Sequence, residues 1–142
     1  MGRINHAAVW LLVVVHQLVA FGWYWVLGEQ WLNLHARTMT DIDRTHNPGA
    51  YVLAVVAAII TNYVLAWVLN RTNSTTALSG LTTALLCWFG FEFVEYATIS
   101  VFSSFETNPW PLILIDMGRP LIAFSISGLV LGAWIGKGAT AD

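Results

Sequence analysis

The sequence predicts an all-α membrane protein, built as one domain (residues 1–142) of four transmembrane helices. First, 57% of the residues are hydrophobic and only 10% are charged, whereas soluble domains average about 25% charged residues. Second, the mean hydropathy of the chain is +0.65. Third, four apolar stretches each reach the length of about 20 residues that a helix needs to cross a bilayer. We therefore expect lipid, rather than water, to surround most of the molecule.

The first two predicted spans carry no formal charge. The first covers residues 4–27 and ends in the aromatic run 23–25. It lacks the small-residue cleavage pattern of a secretory signal, so we interpret it as a retained helix. The second covers residues 50–69 and follows the Asn-Pro-Gly turn signal at 47–49. Both patterns are typical of helices that are compatible with lipid.

The last two predicted spans, residues 77–102 and 112–135, are separated by the proline-containing segment 108–111. Pro120 lies inside the fourth span. Because proline has no N–H and its ring crowds the preceding turn, we expect it to kink this helix or to free a carbonyl in its first turns.

Ionisable residues interrupt the third and fourth spans, where a charge is costly and usually faces the bundle interior or water. A helical rise of about 1.5 Å per residue places four of them at similar depth in the outer half: Glu92, Glu95, Asp116 and Arg119. Each pair is three residues apart and should share a helix face. One arginine among three carboxylates requires a proton, water or a cation for balance. Two interpretations stay open: an ion pair that locks the two helices together, and a polar pocket for a cation, a proton or a small polar ligand.

A second polar set, formed by His16, Gln17 and Asn62, is predicted near the middle of the membrane. Interhelical hydrogen bonding is the expected role, with a proton relay as an alternative. We predict no cofactor other than bound lipid, although an imidazole such as that of His16 is also a common axial ligand of haem or chlorophyll. No metal site is expected, because the acid pair in the third span lacks the Glu-x-x-His partner of di-iron bundles.

Small residues recur every four positions on the fourth span, at Gly128, Gly132 and Gly136. Such a face lets two helix backbones approach closely. It predicts either packing inside one bundle or a contact with another subunit.

Other functions are disfavoured by what the sequence lacks. A net charge of −2 without a basic run gives no reason to expect nucleic-acid binding. No nucleophile elbow, P-loop or dinucleotide fingerprint is present, so we expect no catalytic residues and no enzyme.

The distribution of Lys and Arg predicts the orientation in the membrane. Arg3, Arg71 and Lys137 lie on the side of the membrane that holds both termini, which favours cytoplasmic termini.

Several short aromatic, acidic and glycine-containing elements follow one another along the chain. They are Phe21-Gly22-Trp23-Tyr24, Gly28-Glu29-Gln30-Trp31, Trp88-Phe89-Gly90-Phe91, Phe105-Glu106, Ile115-Asp116-Met117-Gly118 and the glycine-rich run 127–132. In this order they resemble the small four-span bacterial inner-membrane proteins catalogued as a domain of unknown function. The resemblance implies a four-span topology in the bacterial inner membrane and no assigned activity. The acid pair Glu92/Glu95 and Pro120 depart from that family's pattern.

Two functions follow as expectations. One is a membrane protein that binds or transports an ion or a small polar ligand at the charged pocket in the outer half of the membrane. Because four spans are few for a monomeric transporter, such a transporter would form a homo-oligomer. The other is an accessory subunit that stabilises a larger membrane complex, respiratory or photosynthetic, through its tryptophans and its glycine face.

Overall fold

The computed structural model describes residues 4–44, 47–103 and 108–138. Within these ranges the chain is helical and contains no strand. Six α-helices and one π-helical segment follow in order: α1 (His6–Leu34), α2 (Met39–Arg44), α3 (Pro48–Arg71), α4 (Ala77–Cys87), the π segment (Trp88–Phe93), α5 (Val94–Ser103) and α6 (Trp110–Gly138). Phe105 and Glu106 of the family-like pattern lie outside the described ranges.

In the described ranges, four helical spans are long and apolar enough to cross a membrane: His6–Leu34, Pro48–Arg71, Ala77–Ser103 and Trp110–Trp134. The predicted fold class is thereby confirmed. The first helix continues to Leu34, seven residues beyond the predicted end of the span. Its last turns stay helical because Leu32 is buried, with 7% of its surface exposed, and Trp31 is held by a hydrogen bond to the fourth span.

Side-chain caps fix where three of the spans begin. Asn5 accepts a hydrogen bond from the Ala8 N–H before α1. Asn47 accepts one from the Gly49 N–H before α3 and is followed directly by Pro48 in the first helical position. Thr76 and Ser79 form a reciprocal capping box at the start of α4. These residues satisfy N–H groups that a helix start leaves without partners.

The helix α6 is central, since it packs against α1, α3 and α4. Its closest approach is to α4, where a Cβ on Gly80 would lie 2.2 Å from the Gly128 carbonyl oxygen and 2.8 Å from the Gly132 Cα. The Gly128 and Gly132 face therefore packs inside the bundle, which was one of the two interpretations of the glycine pattern. The side-chain surroundings of Gly136 lie outside the described part of the chain.

The third span is interrupted by the π segment, in which six residues, Trp88–Phe93, form wider turns than an α-helix. The wider turn shifts the angular position of every residue that follows it. As a result Glu92 is half-buried whereas Glu95 is exposed, although the two are three residues apart. Tyr96, one position further on, is half-buried and faces α6, where it donates to Asp116.

Candidate functional site

One hydrogen-bonded cluster joins the end of the first span to the start of the fourth. The Trp31 indole N–H donates to Asp116 Oδ1 at 2.8 Å, and the Tyr96 hydroxyl donates to Asp116 Oδ2. The half-buried carboxylate of Asp116 thus has one donor for each oxygen. Because a carboxylate only accepts hydrogen bonds, two neutral donors satisfy it without a positive partner.

A second contact reinforces this junction. The Trp23 indole N–H donates to the Ile115 carbonyl oxygen at 2.9 Å. The Trp23 ring also lies over Gly118, where an added Cβ would come within 2.6 Å of ring carbons. The absence of a side chain at Gly118 leaves the space that the Trp23 ring occupies. Gly118 is three residues after Ile115, whose carbonyl oxygen accepts the hydrogen bond from the same ring.

Arg119 lies about one turn after Asp116 on α6. Its guanidinium is within hydrogen-bonding reach of the Tyr24 hydroxyl, and its charge acts on both Glu92 and His16. Among the described side chains no carboxylate forms an ion pair with Arg119. The structure therefore brings Glu92 and Arg119 to one region, holds Asp116 with aromatic donors, and leaves Glu95 on the exposed face.

Glu92 and Arg119 line a large cavity between α1, α3 and α6, with a volume of about 1460 Å³. Helix α3 contributes small side chains to its wall, which is why space remains there. Those side chains are Ala50, Ala54, Ala57 and Ala58. Aromatic rings from α1 and α6 form much of the rest; they are Phe21, Tyr24, Trp25, Trp31 and Phe124. The charged residues that line the cavity are Glu29, Glu92 and Arg119.

Two residues of the second polar set, His16 and Gln17, line the cavity, and the third, Asn62, lies behind them. His16 lines the cavity, and its Nε2 lies 3.0 Å from the Ser127 hydroxyl oxygen. Ser127 in turn donates to Asn62 Oδ1 at 2.8 Å. His16 and Asn62 are brought together through Ser127, whereas Gln17 lines the cavity without joining this chain of hydrogen bonds.

Four residues of the site were not predicted as site residues from the sequence: Ser127, Tyr24, Trp31 and Tyr96. The first three appeared there as parts of the family-like pattern. Ser127 is a small polar residue eleven positions after Asp116 on the same helix, and its only sequence signal is its place in the glycine-rich run. The aromatic residues gave a signal typical of a membrane interface, which conceals their role as hydrogen-bond donors. No group of three His, Cys, Asp or Glu side chains that could hold a metal ion occurs in the described ranges.

Comparison with known proteins gives one match. A family model described as a protein of unknown function (DUF1761) matches residues 7–132, a range that contains the cavity, the hydrogen-bonded chain and the aromatic junction. No curated protein and no solved structure matches the chain.

Proposed function

Since the chain belongs to the DUF1761 family of proteins of unknown function, we propose its function from the cavity: it binds a lipophilic cation inside the membrane. The observation that carries this proposal is the lining of the cavity. Two carboxylates, Glu29 and Glu92, face one guanidinium, Arg119, within walls that are otherwise mostly apolar and aromatic. With its carboxylates ionised, the lining has an excess of one negative charge.

The position of Glu92 makes it the main charge partner in this proposal. Glu29 is exposed, so water screens its charge, whereas Glu92 is half-buried. Charges act more strongly where the surroundings are less polar. A bound cation therefore gains most from Glu92, and Arg119 balances part of the acid charge.

The walls suit an organic cation better than a metal ion. Rings of Trp, Tyr and Phe attract a cation through their negative faces, and six such residues line the cavity. Ligand pockets for drug-sized molecules usually measure about 300–1,000 Å³, so a volume of about 1460 Å³ accommodates a bulky apolar group. The proposal is for a binding protein rather than an enzyme.

The proposal includes a location in the bacterial inner membrane with both termini in the cytoplasm. Its support is the excess of Lys and Arg on one side of the four spans, which marks the cytoplasmic side of inner-membrane proteins. In this orientation the charged part of the cavity lies in the outer half of the membrane. Transport by a bundle of four spans would require a second copy, whereas binding alone does not.

Tetraphenylphosphonium and tetraphenylborate test the charge argument, since they have the same shape and opposite charges. Equilibrium dialysis with the purified protein in a neutral detergent measures the affinity of each ion. We expect saturable binding of the phosphonium and at least about tenfold weaker binding of the borate, a difference of about 1.4 kcal/mol. Equal affinities for the two ions, or no saturable binding of the phosphonium, would overturn the proposal.

A matched pair of variants tests the role of Glu92. Glu92→Gln removes the half-buried carboxylate and should weaken phosphonium binding by about tenfold or more. Glu95→Gln removes an equal charge three residues further on, from a side chain that is exposed, and should leave the affinity unchanged. If both variants bind equally well, or both lose affinity to the same extent, the cavity is not where the cation binds.

A further inference from the structure

The orientation of the Asn62 side chain follows from its hydrogen bonds. Its Nδ2 donates to the Ala58 carbonyl oxygen at 2.9 Å, and a carbonyl oxygen can only accept. The amide oxygen Oδ1 is therefore the atom directed at Ser127, and it accepts from the Ser127 hydroxyl at 2.8 Å. With 0% of its surface exposed, Asn62 has no water as an alternative partner.

This orientation determines which nitrogen of His16 carries the proton. A serine hydroxyl has one hydrogen, and Ser127 donates it to Asn62. The contact of 3.0 Å between His16 Nε2 and the Ser127 oxygen is then a hydrogen bond only if Nε2 is the donor. Since a buried polar group without a partner costs about 1–3 kcal/mol, the fully paired arrangement is favoured. In the neutral ring, Nδ1 is left as an acceptor.

The remaining nitrogen belongs to a ring at the wall of the cavity. No described residue donates a hydrogen bond to Nδ1, and the ring lines the cavity. Trp88 Nε1 offers a contrast, because it is the buried side-chain polar atom that lacks a partner in the described part of the chain. His16 Nδ1 is not enclosed in that way, so the cavity is where a partner can reach it.

We infer that His16 is a specificity-determining residue whose Nδ1 accepts a hydrogen bond from the ligand, so that the preferred class is a lipophilic cation carrying a separate hydroxyl or N–H donor. This inference rests on the proposed function, since it concerns the same cavity.

Matched phosphonium ligands test this inference. Triphenylphosphonium ions with an ω-hydroxyalkyl chain are compared with their methyl ethers over a series of increasing chain length. A hydroxyl that reaches His16 should bind roughly three- to tenfold more tightly than its ether, and only over a limited range of chain length. No preference for the hydroxyl at any length would overturn the inference. Because every ligand in the series carries the phosphonium charge, failure of all of them to bind would instead count against the proposed function.

Two substitutions of His16 separate its two nitrogens. Glutamine can place an N–H near the position of Nε2, which keeps the contact with Ser127, but offers no acceptor at the position of Nδ1. Asparagine can place its carbonyl oxygen near the position of Nδ1. We expect His16→Gln to abolish the preference for the hydroxyl over the ether and His16→Asn to retain it. The opposite result would overturn the assignment of Nδ1 as the acceptor.

The tautomer itself can be measured without any ligand. Nitrogen NMR of protein labelled at histidine should show a neutral His16 ring protonated at Nε2. Ser127→Ala removes the acceptor that fixes this tautomer and should give a mixture of the two. A ring protonated at Nδ1 in the unaltered protein would overturn the inference and leave the proposed cation binding untouched.

Discussion

The Trp31 indole donates a hydrogen bond of 2.8 Å to the Asp116 carboxylate and so ties the end of the first span to the start of the fourth. Trp31 and Asp116 are 85 residues apart in the sequence. The Trp23 contact to Ile115 adds a second link, so three elements of the family-like pattern meet here: residues 21–24, 28–31 and 115–118. The contacts between these elements hold the first and fourth spans together at one end of the bundle, beside the cavity.

Trp31→Phe should destabilise the protein. The change keeps an aromatic ring but removes the donor to one carboxylate oxygen. Interhelical hydrogen bonds in membranes contribute about 0.6 kcal/mol on average and up to about 1.7 kcal/mol, and we expect the upper end because the acceptor is a carboxylate. Thermal unfolding in detergent measures the loss. Trp10→Phe, at a residue that is 53% exposed on the same helix, is the control, and an equal effect of both changes would contradict this role of Trp31.

Gly118→Ala should also destabilise the junction. The new methyl group would lie 2.6 Å from carbons of the Trp23 ring, so the ring must move and its hydrogen bond to Ile115 must lengthen. Gly22→Ala is a matched control, since nothing lies within 4 Å of a Cβ at that position. Alanine at 22 should be neutral or stabilise the helix by up to about 1 kcal/mol. Tryptophan fluorescence and thermal unfolding should separate the two variants, and identical behaviour would refute the proposed contact.

Gly80→Ala should separate α4 from α6. A Cβ at 80 would meet the Gly128 carbonyl oxygen at 2.2 Å, and a backbone atom cannot rotate away as a side chain does. Crowding of a well-packed interface typically costs about 1–3 kcal/mol, which a lowered unfolding temperature would reveal. Gly90→Ala, in the same span with nothing within 4 Å of the added Cβ, should have little effect. A Gly80→Ala protein as stable as Gly90→Ala would show that these helices do not approach so closely.

The orientation of the bundle can be tested with reporter fusions. The Lys and Arg bias predicts that a reporter fused after Asp142 is active only if it functions in the cytoplasm. A reporter inserted after Arg37, in the first loop, should show the opposite behaviour. An even number of spans requires the two ends of the chain to be on one side, so a reporter at residue 1 provides the internal check. A periplasmic signal at Asp142 would reverse the orientation and move the charged part of the cavity to the inner half.

The sequence by itself determined the architecture, because crossing a membrane depends on local properties. A run of about 20 apolar residues is sufficient to predict a span, and the spans found here agree with that prediction within a few residues except at the end of α1. The depth of Glu92 and Arg119 in the membrane stays a prediction from the rise of an α-helix.

Only the tertiary structure decided which side chains meet at a given depth. The π segment turned Glu95 outward and brought Tyr96 to Asp116, an outcome that residue spacing in a regular α-helix cannot predict. The contact between His16 and Asn62 required Ser127 from a third helix. Such contacts depend on how each helix is rotated about its axis and on which helix it packs against. A hydropathy profile predicts neither the rotation nor the packing partner. The physical reason is that the depth of a residue in the membrane depends on its position along one helix, whereas a binding site depends on how several helices pack together.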